Sequence, residues 1–184
     1  MAKLTEQHLR DRRQAILEAA AALFAQQGFS DTSMADIVEA SGVATGTVYR
    51  YFDNKDAVVM ATCESALGVL FDDPSDSEPV PLDQAMNALV AAATTLRRSQ
   101  ISSQVWAKGT SSARLQSMIA ERHVRVCRWL ARSIDRTSGD PGSAAQQRAE
   151  LIVCAVSGLQ MRVASGVEVD IDAFRAGLFQ IARS

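Results

Sequence analysis

The chain has 184 residues, of which 47% are hydrophobic and 22% charged, and this composition excludes an intrinsically disordered protein. No apolar run approaches the roughly 20 residues of a membrane-spanning helix, and acidic residues near the N-terminus exclude a signal peptide, so we expect a cytoplasmic protein without a membrane partner. The net charge is −2, and residues 1–55 hold six basic and seven acidic side chains, which excludes nucleic-acid binding through bulk charge alone.

The first two predicted helices lie within the first 42 residues. Apolar residues from Leu9 to Phe24 recur at spacings of three, four and seven, which predicts an amphipathic helix that ends at Gly28. Ser33 and Asp36 have the spacing of a capping box, which predicts the start of a second helix. A Ser-Gly pair then ends this helix after about two turns.

A third short helix is expected from Ala44 to Phe52, after which Asp53 caps a fourth helix that begins at Asn54. The segment 72–81 contains three of the four prolines and is predicted to be a loop. Further helices are predicted at about residues 82–99, 101–108, 112–137, 144–165 and 170–182. No strand pattern of useful length occurs, so the sequence predicts an all-α protein with about nine helices.

A cap and a pair of helix breakers also define the boundary between the predicted helices at 112–137 and 144–165. Ser143 and Gln146 have the spacing of a second capping box, which predicts the start of the helix at 144–165. Gly139 and Pro141 separate this helix from the one before it.

The second and third predicted helices, joined by a tight turn that contains glycine, have the pattern of a helix-turn-helix. On a helical wheel of about 100° per residue, Ala44, Val48 and Phe52 share one face, which we expect to pack inward. The opposite face carries accessible backbone and three polar side chains. These are the backbone at Gly46, the hydroxyl of Thr47, the phenol of Tyr49 and the guanidinium of Arg50. Arginine pairs bidentately with guanine and threonine contacts bases, so this face can read the major groove. On spacing alone, a plain helical bundle remains the alternative.

The segment ILEAAAALFAQQGFSDTSMADIVEASGVATGTVYRYFDNKDAVV resembles the DNA-binding domain of the TetR family of transcriptional regulators along its whole length. The matching residues are Ala19, Ala20, Phe24, Gly28, Ile37, Gly42, Val43, Gly46, Thr47, Tyr49, Tyr51, Phe52 and Lys55. The resemblance implies a three-helix helix-turn-helix DNA-binding domain at residues 1–53. It also implies a helical-bundle domain for ligand binding and dimerisation at residues 54–184.

The resemblance further implies a repressor that binds a palindromic operator of double-stranded DNA as a homodimer and is released by a small-molecule effector. Base or groove contacts are expected from Thr45, Gly46, Thr47, Tyr49 and Arg50. Phosphate contacts are expected from Ser33, Tyr51, Lys55, Arg10, Arg12 and Arg13. Arg50 occupies a position that varies in the family, so the operator sequence does not carry over.

The helix at 144–165 is apolar nearly all round, so it needs partners on two sides, and one of these is expected to be a second chain. The dimer interface is predicted to contain Ile152, Val156, Leu159, Val163, Phe174, Leu178 and Ile181. An effector pocket is predicted from adaptable and aromatic residues, namely Met86, Trp106, Met118, Cys127, Trp129 and Met161.

Metal binding and catalysis are not expected. His123 and Cys127 have a spacing compatible with a metal, but a lone pair of ligands is a weak signal, so neither metal nor cofactor is predicted. The three cysteines are far apart and odd in number, which predicts reduced thiols. No nucleotide-binding loop, nucleophile elbow or zinc-protease motif occurs, so the chain is not expected to be an enzyme. An activator, or a regulator that responds to a protein, remains the alternative on the same fold.

Overall fold

The computed structural model describes residues 2–69, 79–136 and 141–183, and every regular element in these ranges is a helix. The described helices number nine, as predicted: α1 (Ala2–Asp31), α2 (Met34–Ser41), α3 (Thr45–Tyr51), α4 (Lys55–Val69), α5 (Leu82–Thr94), α6 (Leu96–Gly109), α7 (Ala113–Ile134), α8 (Ser143–Ala164) and α9 (Ile171–Arg183). The prediction of an all-α protein is confirmed. Most of the predicted loop at 72–81 lies outside the described residues.

The chain forms two compact units, Met1–Ala66 and Leu67–Ser184. The boundary falls within α4, whereas the sequence suggested a boundary after residue 53. The beginning of α4 is tied to the first unit, because the Lys55 ammonium donates a hydrogen bond to the Ser30 carbonyl at 3.1 Å. The first unit therefore contains α1–α3 together with most of α4.

Two glycines shape the first unit. At Gly28 the backbone takes a φ of 86°, which bends α1 before a last turn that ends at Asp31. The hydroxyl of the buried Thr32 donates to the Gly28 carbonyl at 2.8 Å and fixes this bend. Gly42 ends α2 in the left-handed region with a φ of 62°, and its N–H donates to the Glu39 carbonyl. Glycine adopts both conformations without the steric cost that a Cβ would add.

The capping box at the start of α2 is confirmed. The Ser33 hydroxyl accepts from the Asp36 N–H at 3.1 Å, and the Asp36 carboxylate accepts from the Ser33 N–H at 2.8 Å. Two backbone donors that the helix leaves unpaired are thereby satisfied.

Two other predicted caps are wrong. The Asn54 side chain, and not that of Asp53, accepts the Ala57 N–H at 2.9 Å at the start of α4. The second capping box is also absent from the described residues, because α8 begins at Ser143 itself and Gly142 is its N-cap. Gln146 instead donates to the Pro141 carbonyl at 3.2 Å.

The second unit packs α5, α7, α8 and α9 around one hydrophobic core. Its large buried side chains include one from each helix, namely Met86, Leu130, Ile152 and Leu178. Alanines buried between them allow the helix backbones to approach closely: Ala85, Ala93, Ala131, Ala145 and Ala149. No helix in the described ranges is long and apolar enough to cross a membrane.

Candidate functional site

The inner face of α3 fixes the orientation of this helix. Val48 is fully buried and Phe52 is 3% exposed, as the wheel predicted, and Ile37 of α2 is also fully buried. Ala44 does not share this face, because its side chain is exposed. It is the N-cap of α3 with φ −54° and ψ 135°, so the helical wheel does not extend to it.

The outer face of α3 carries the side chains that the sequence singled out for base contact. Thr45, Gly46 and Arg50 are exposed, Tyr49 is 46% exposed, and Thr47 is half-buried. A Cβ added at Gly46 would meet no atom of the described residues beyond its neighbours and its own helix backbone within 4 Å, so packing among these residues does not require glycine there. The face thus combines a guanidinium, a phenol and a hydroxyl around a segment of accessible backbone.

Two of the predicted phosphate contacts also make bonds within the chain. The Tyr51 hydroxyl donates to the Leu9 carbonyl at 3.1 Å, and Lys55 donates to the Ser30 carbonyl of α1. These bonds tie both sides of the segment that contains α3 to α1. An ammonium has three N–H donors and a phenol oxygen can also accept, so both groups keep further hydrogen-bonding capacity.

The remaining predicted phosphate contacts lie on the surface of the first unit. Arg10, Arg12 and Arg13 are exposed on α1, and the Arg13 guanidinium lies 5.4 Å from the centroid of the Phe52 ring. Ser33 is exposed at the N-cap of α2, where a helix terminus attracts anions. Cationic and hydrogen-bonding groups therefore flank α3, although the unit as a whole is not basic.

The residues of the predicted effector pocket differ widely in burial, and the pocket itself stays a prediction. Met86 is fully buried and Trp129 is 5% exposed, and both belong to the hydrophobic core. Trp106 and Met161 are each 47% exposed, while Met118 is half-buried. A groove of about 340 Å³ lies between α5 and α9, lined by Asp83, Ala176, Phe179, Gln180 and Arg183.

The residues of the predicted dimer interface also differ in burial, and the interface itself stays a prediction. Ile152, Leu159 and Leu178 are no more than 2% exposed and Val156 is 7% exposed, so they pack inside a single chain. The other three predicted residues are half-buried against the same core: Val163, Phe174 and Ile181.

A different face of α8 lies open. Its exposed residues follow spacings of four and three, and we call them the α8 stripe: Gln147, Leu151, Cys154, Gly158 and Met161. Leu151 is 59% exposed, and a Cβ added at Gly158 would meet no described atom within 4 Å beyond its neighbours and its own helix backbone. The apolar character of both faces of α8 from Leu151 onward was correctly predicted, but which face is turned outward was not.

The structure brings two residues to the His123–Cys127 pair that the sequence analysis missed. The His123 Nε2 lies 2.8 and 2.9 Å from the two Glu150 carboxylate oxygens, and the Cys127 thiol donates to this carboxylate at 3.3 Å. The Cys154 thiol lies 3.9 Å from it. Glu150 and Cys154 also stand four residues apart, a signal that was present in the sequence.

Electrostatics within this cluster favour an ionised carboxylate and a neutral thiol. The hydrogen bonds from His123 and Cys127 lower the pKa of Glu150. Burial, followed by the neighbouring Glu150, raises the pKa of Cys127 to about 12. Cys127 is therefore protonated at neutral pH and is not a reactive thiolate.

Comparison with known proteins gives its strongest similarity in the first unit. Residues 16–62 match the family model described as bacterial regulatory proteins, tetR family. The HTH-type transcriptional regulator AcrR of Shigella flexneri is 40% identical over 73 residues, which are 38% of this chain and 34% of that protein. The HTH-type transcriptional repressor KstR2 of Rhodococcus jostii is 38% identical over 60 residues, 33% of this chain and 29% of that protein. The alignments thus span about a third of the length of these relatives.

Similarity of fold extends much further. A structure from Saccharomonospora viridis in complex with choline superimposes with a TM-score of 0.71 and covers 93% of this chain and 94% of that one, at 19% identity. At this identity the likeness concerns the fold alone.

Proposed function

We propose, from the match of residues 16–62 to the family model of bacterial regulatory proteins of the tetR family, that the chain is a DNA-binding transcriptional regulator of this family whose α3 enters the major groove. The observation that carries the proposal is the exposed outer face of α3, with Arg50, Tyr49 and Gly46, on a helix whose inner residues Val48 and Phe52 are buried. A rigidly held helix with exposed polar side chains is the element that reads base edges.

The roles of the side chains follow from their chemistry. Arg50 pairs bidentately with a guanine, and Thr47 contacts a neighbouring base or a thymine methyl. Gly46 lets the start of α3 approach the DNA closely. Arg10, Arg12 and Arg13 of α1 bind phosphates, as do Ser33, Tyr51 and Lys55, and these contacts set the register of the protein on the duplex.

The second unit supplies dimerisation through the α8 stripe. Leu151 and Met161 present exposed apolar surface, while Gly158 between them allows a second helix to approach closely. A stripe of this kind is self-complementary about a two-fold axis. A two-fold dimer places its two copies of α3 on half-sites about 34–36 Å apart, so the operator is palindromic.

We further propose that the protein is a repressor released by a small molecule that binds the second unit. Two comparisons support this assignment. The relative KstR2 is a transcriptional repressor, and the Saccharomonospora viridis protein of the same fold holds choline. Binding of an effector would change the separation of the two copies of α3, and a small change suffices to break a contact that requires fixed spacing.

The test compares two cationic residues of the first unit on DNA selected from random duplexes. Arg50→Ala is expected to cost about 1–3 kcal/mol on the selected site and to relax its sequence preference. Lys55→Ala is expected to weaken all sites alike and to reduce the slope of log affinity against log salt by about 1. Arg183→Ala, which removes an exposed arginine of the second unit, serves as the matched control.

Binding is measured by fluorescence anisotropy on the selected site and on a scrambled duplex at several salt concentrations. Equal losses on both duplexes from Arg50→Ala and Lys55→Ala would contradict the separation into a base contact and a phosphate contact. Failure of the wild-type chain to enrich any sequence would contradict the proposed function itself.

A further inference from the structure

Metal-ligating residues meet where α7 packs against α8. His123 and Cys127 are four residues apart on α7, and Glu150 and Cys154 are four residues apart on α8. Residues at this spacing lie on one side of a helix, so His123 and Cys127 both reach the Glu150 carboxylate, and Cys154 lies one turn further along α8 at an exposed position. The donor atoms of His123, Cys127 and Glu150 all lie within 4.8 Å of one another.

We propose that His123, Cys127, Glu150 and Cys154 form a binding site for a soft divalent transition-metal ion of the Zn²⁺ class. One imidazole nitrogen, one carboxylate oxygen and two sulfurs are a four-coordinate ligand set that Zn²⁺ accepts in proteins. Oxygen-rich sites for Mg²⁺ or Ca²⁺ have neither thiol nor imidazole ligands, which excludes those ions here.

The distances agree with this coordination for three of the four ligands, whereas the Cys154 sulfur, 3.9 Å from a Glu150 oxygen and outside that group, must turn inward to complete it. Bonds of about 2.0–2.3 Å in a tetrahedron place neighbouring ligand atoms about 3.3–3.8 Å apart. The Cys127 sulfur lies 3.5 Å from the His123 Nε2 and 3.3 Å from a Glu150 oxygen. The His123–Glu150 separation of 2.8 Å is shorter, so these two side chains must move apart by about half an ångström.

The ion has a path to the site, because the His123 and Glu150 side chains are 30% and 52% exposed. On binding, the Cys127 thiol gives up its proton to solvent and a sulfur–metal bond replaces its hydrogen bond to Glu150. His123 binds the ion through Nε2 in the tautomer that carries the ring proton on Nδ1, so its hydrogen bond to Glu150 is also replaced. Cys154 loses its proton in the same way. The alternative is a hydrogen-bonded cluster without a metal, but a thiol is a weak hydrogen-bond donor, and two thiols around one carboxylate add little stability.

The site is independent of the proposed DNA-binding function, so its test does not use DNA. The full chain, with thiols reduced, is titrated with Zn²⁺ in competition with a chromogenic chelator, and with Co²⁺ as a spectroscopic probe. We expect one equivalent of Zn²⁺ per chain, and visible absorption bands of tetrahedral Co²⁺ with a near-ultraviolet sulfur-to-metal charge-transfer band.

The two histidines of the chain provide a matched pair of variants. His123→Gln is expected to lower Zn²⁺ affinity at least about tenfold, whereas His8→Gln, at an exposed position of the first unit, keeps the wild-type affinity. Cys127→Ser and Cys154→Ser are each expected to weaken the charge-transfer band. Serine is close to cysteine in size, so Cys154→Ser changes the shape of the α8 stripe little. Far-UV circular dichroism checks that each variant is folded.

Three results would overturn the proposal. The first is a wild-type chain that binds no Zn²⁺ more tightly than His123→Gln does. The second is equal loss of affinity in His8→Gln and His123→Gln, which would indicate nonspecific binding. The third is an unchanged Co²⁺ spectrum in Cys154→Ser, which would overturn the four-ligand assignment.

Discussion

Substitution of Gly158, which lies within the α8 stripe, is expected to have opposite effects on the stability of the single chain and on the stability of the dimer. Glycine inside a helix costs about 0.8–1 kcal/mol relative to alanine, and leucine is nearly as favourable as alanine. Within the part of the chain that the structure describes, a Cβ at this position would meet no atom within 4 Å outside its neighbours and its own helix backbone. Gly158→Leu is therefore expected to stabilise the folded single chain by somewhat less than about 1 kcal/mol.

In the proposed dimer the same change has the opposite sign. Overpacking of a close contact costs about 1–3 kcal/mol, and a two-fold axis repeats each substitution, so the dimer loses about 2–6 kcal/mol. The dimer dissociation constant should rise about 30-fold or more.

Sedimentation equilibrium over a range of concentrations measures this constant, and circular dichroism in urea at low concentration measures the stability of the single chain. Gly46→Leu is the matched control, because Gly46 is also helical and has nothing within 4 Å of an added Cβ. This variant should keep the wild-type dimer and lose DNA binding. A Gly158→Leu protein with the wild-type dissociation constant would refute the reasoning, since the α8 stripe would then lie outside the interface.

Three further predictions concern the first unit. Ser33→Ala should lower the free energy of unfolding by about 1 kcal/mol in urea denaturation, and no loss would contradict the cap. The Ser33 N–H and hydroxyl lower the pKa of Asp36 below 3.8, so its stabilisation is present at neutral pH and is lost as the pH falls through that range. The melting temperature should accordingly fall less between pH 7 and about pH 3 for Asp36→Asn than for the wild type. Identical pH profiles of the melting temperature in the two proteins would contradict this prediction. Tyr51→Phe should cost about 0.5–1.5 kcal/mol through loss of the bond to the Leu9 carbonyl, and an unchanged urea midpoint would contradict it.

Much of the first unit could be predicted because its signals are local. The Ser33–Asp36 box and the turn at Gly42 depend on residues within three or four positions of each other, and both were found. The burial of Val48 and Phe52 follows from helical periodicity alone. Asn54 was missed as a cap because Asp53 and Asn54 are equally good candidates, and only the exact backbone path selects one.

The second unit was harder to predict because α8 is apolar on more than one face. Leu151 and Ile152 are adjacent and equally hydrophobic, yet the first is 59% exposed and the second fully buried. In such a helix the hydrophobic periodicity does not show which face packs against the core. The cluster around Glu150 was missed for a related reason, since its two halves are 23 or more residues apart and meet only through the packing of α7 on α8.

The bond from Lys55 to the Ser30 carbonyl bears on how much of the chain is needed for an autonomous DNA-reading unit. A seven-residue helix such as α3 has no stability of its own, so its orientation depends entirely on what holds it. A fragment that stopped at residue 53 would lack Lys55, and also the Asn54 side chain that caps α4. The shortest chain expected to hold α3 in place therefore continues through α4 to Ala66, where the first unit ends.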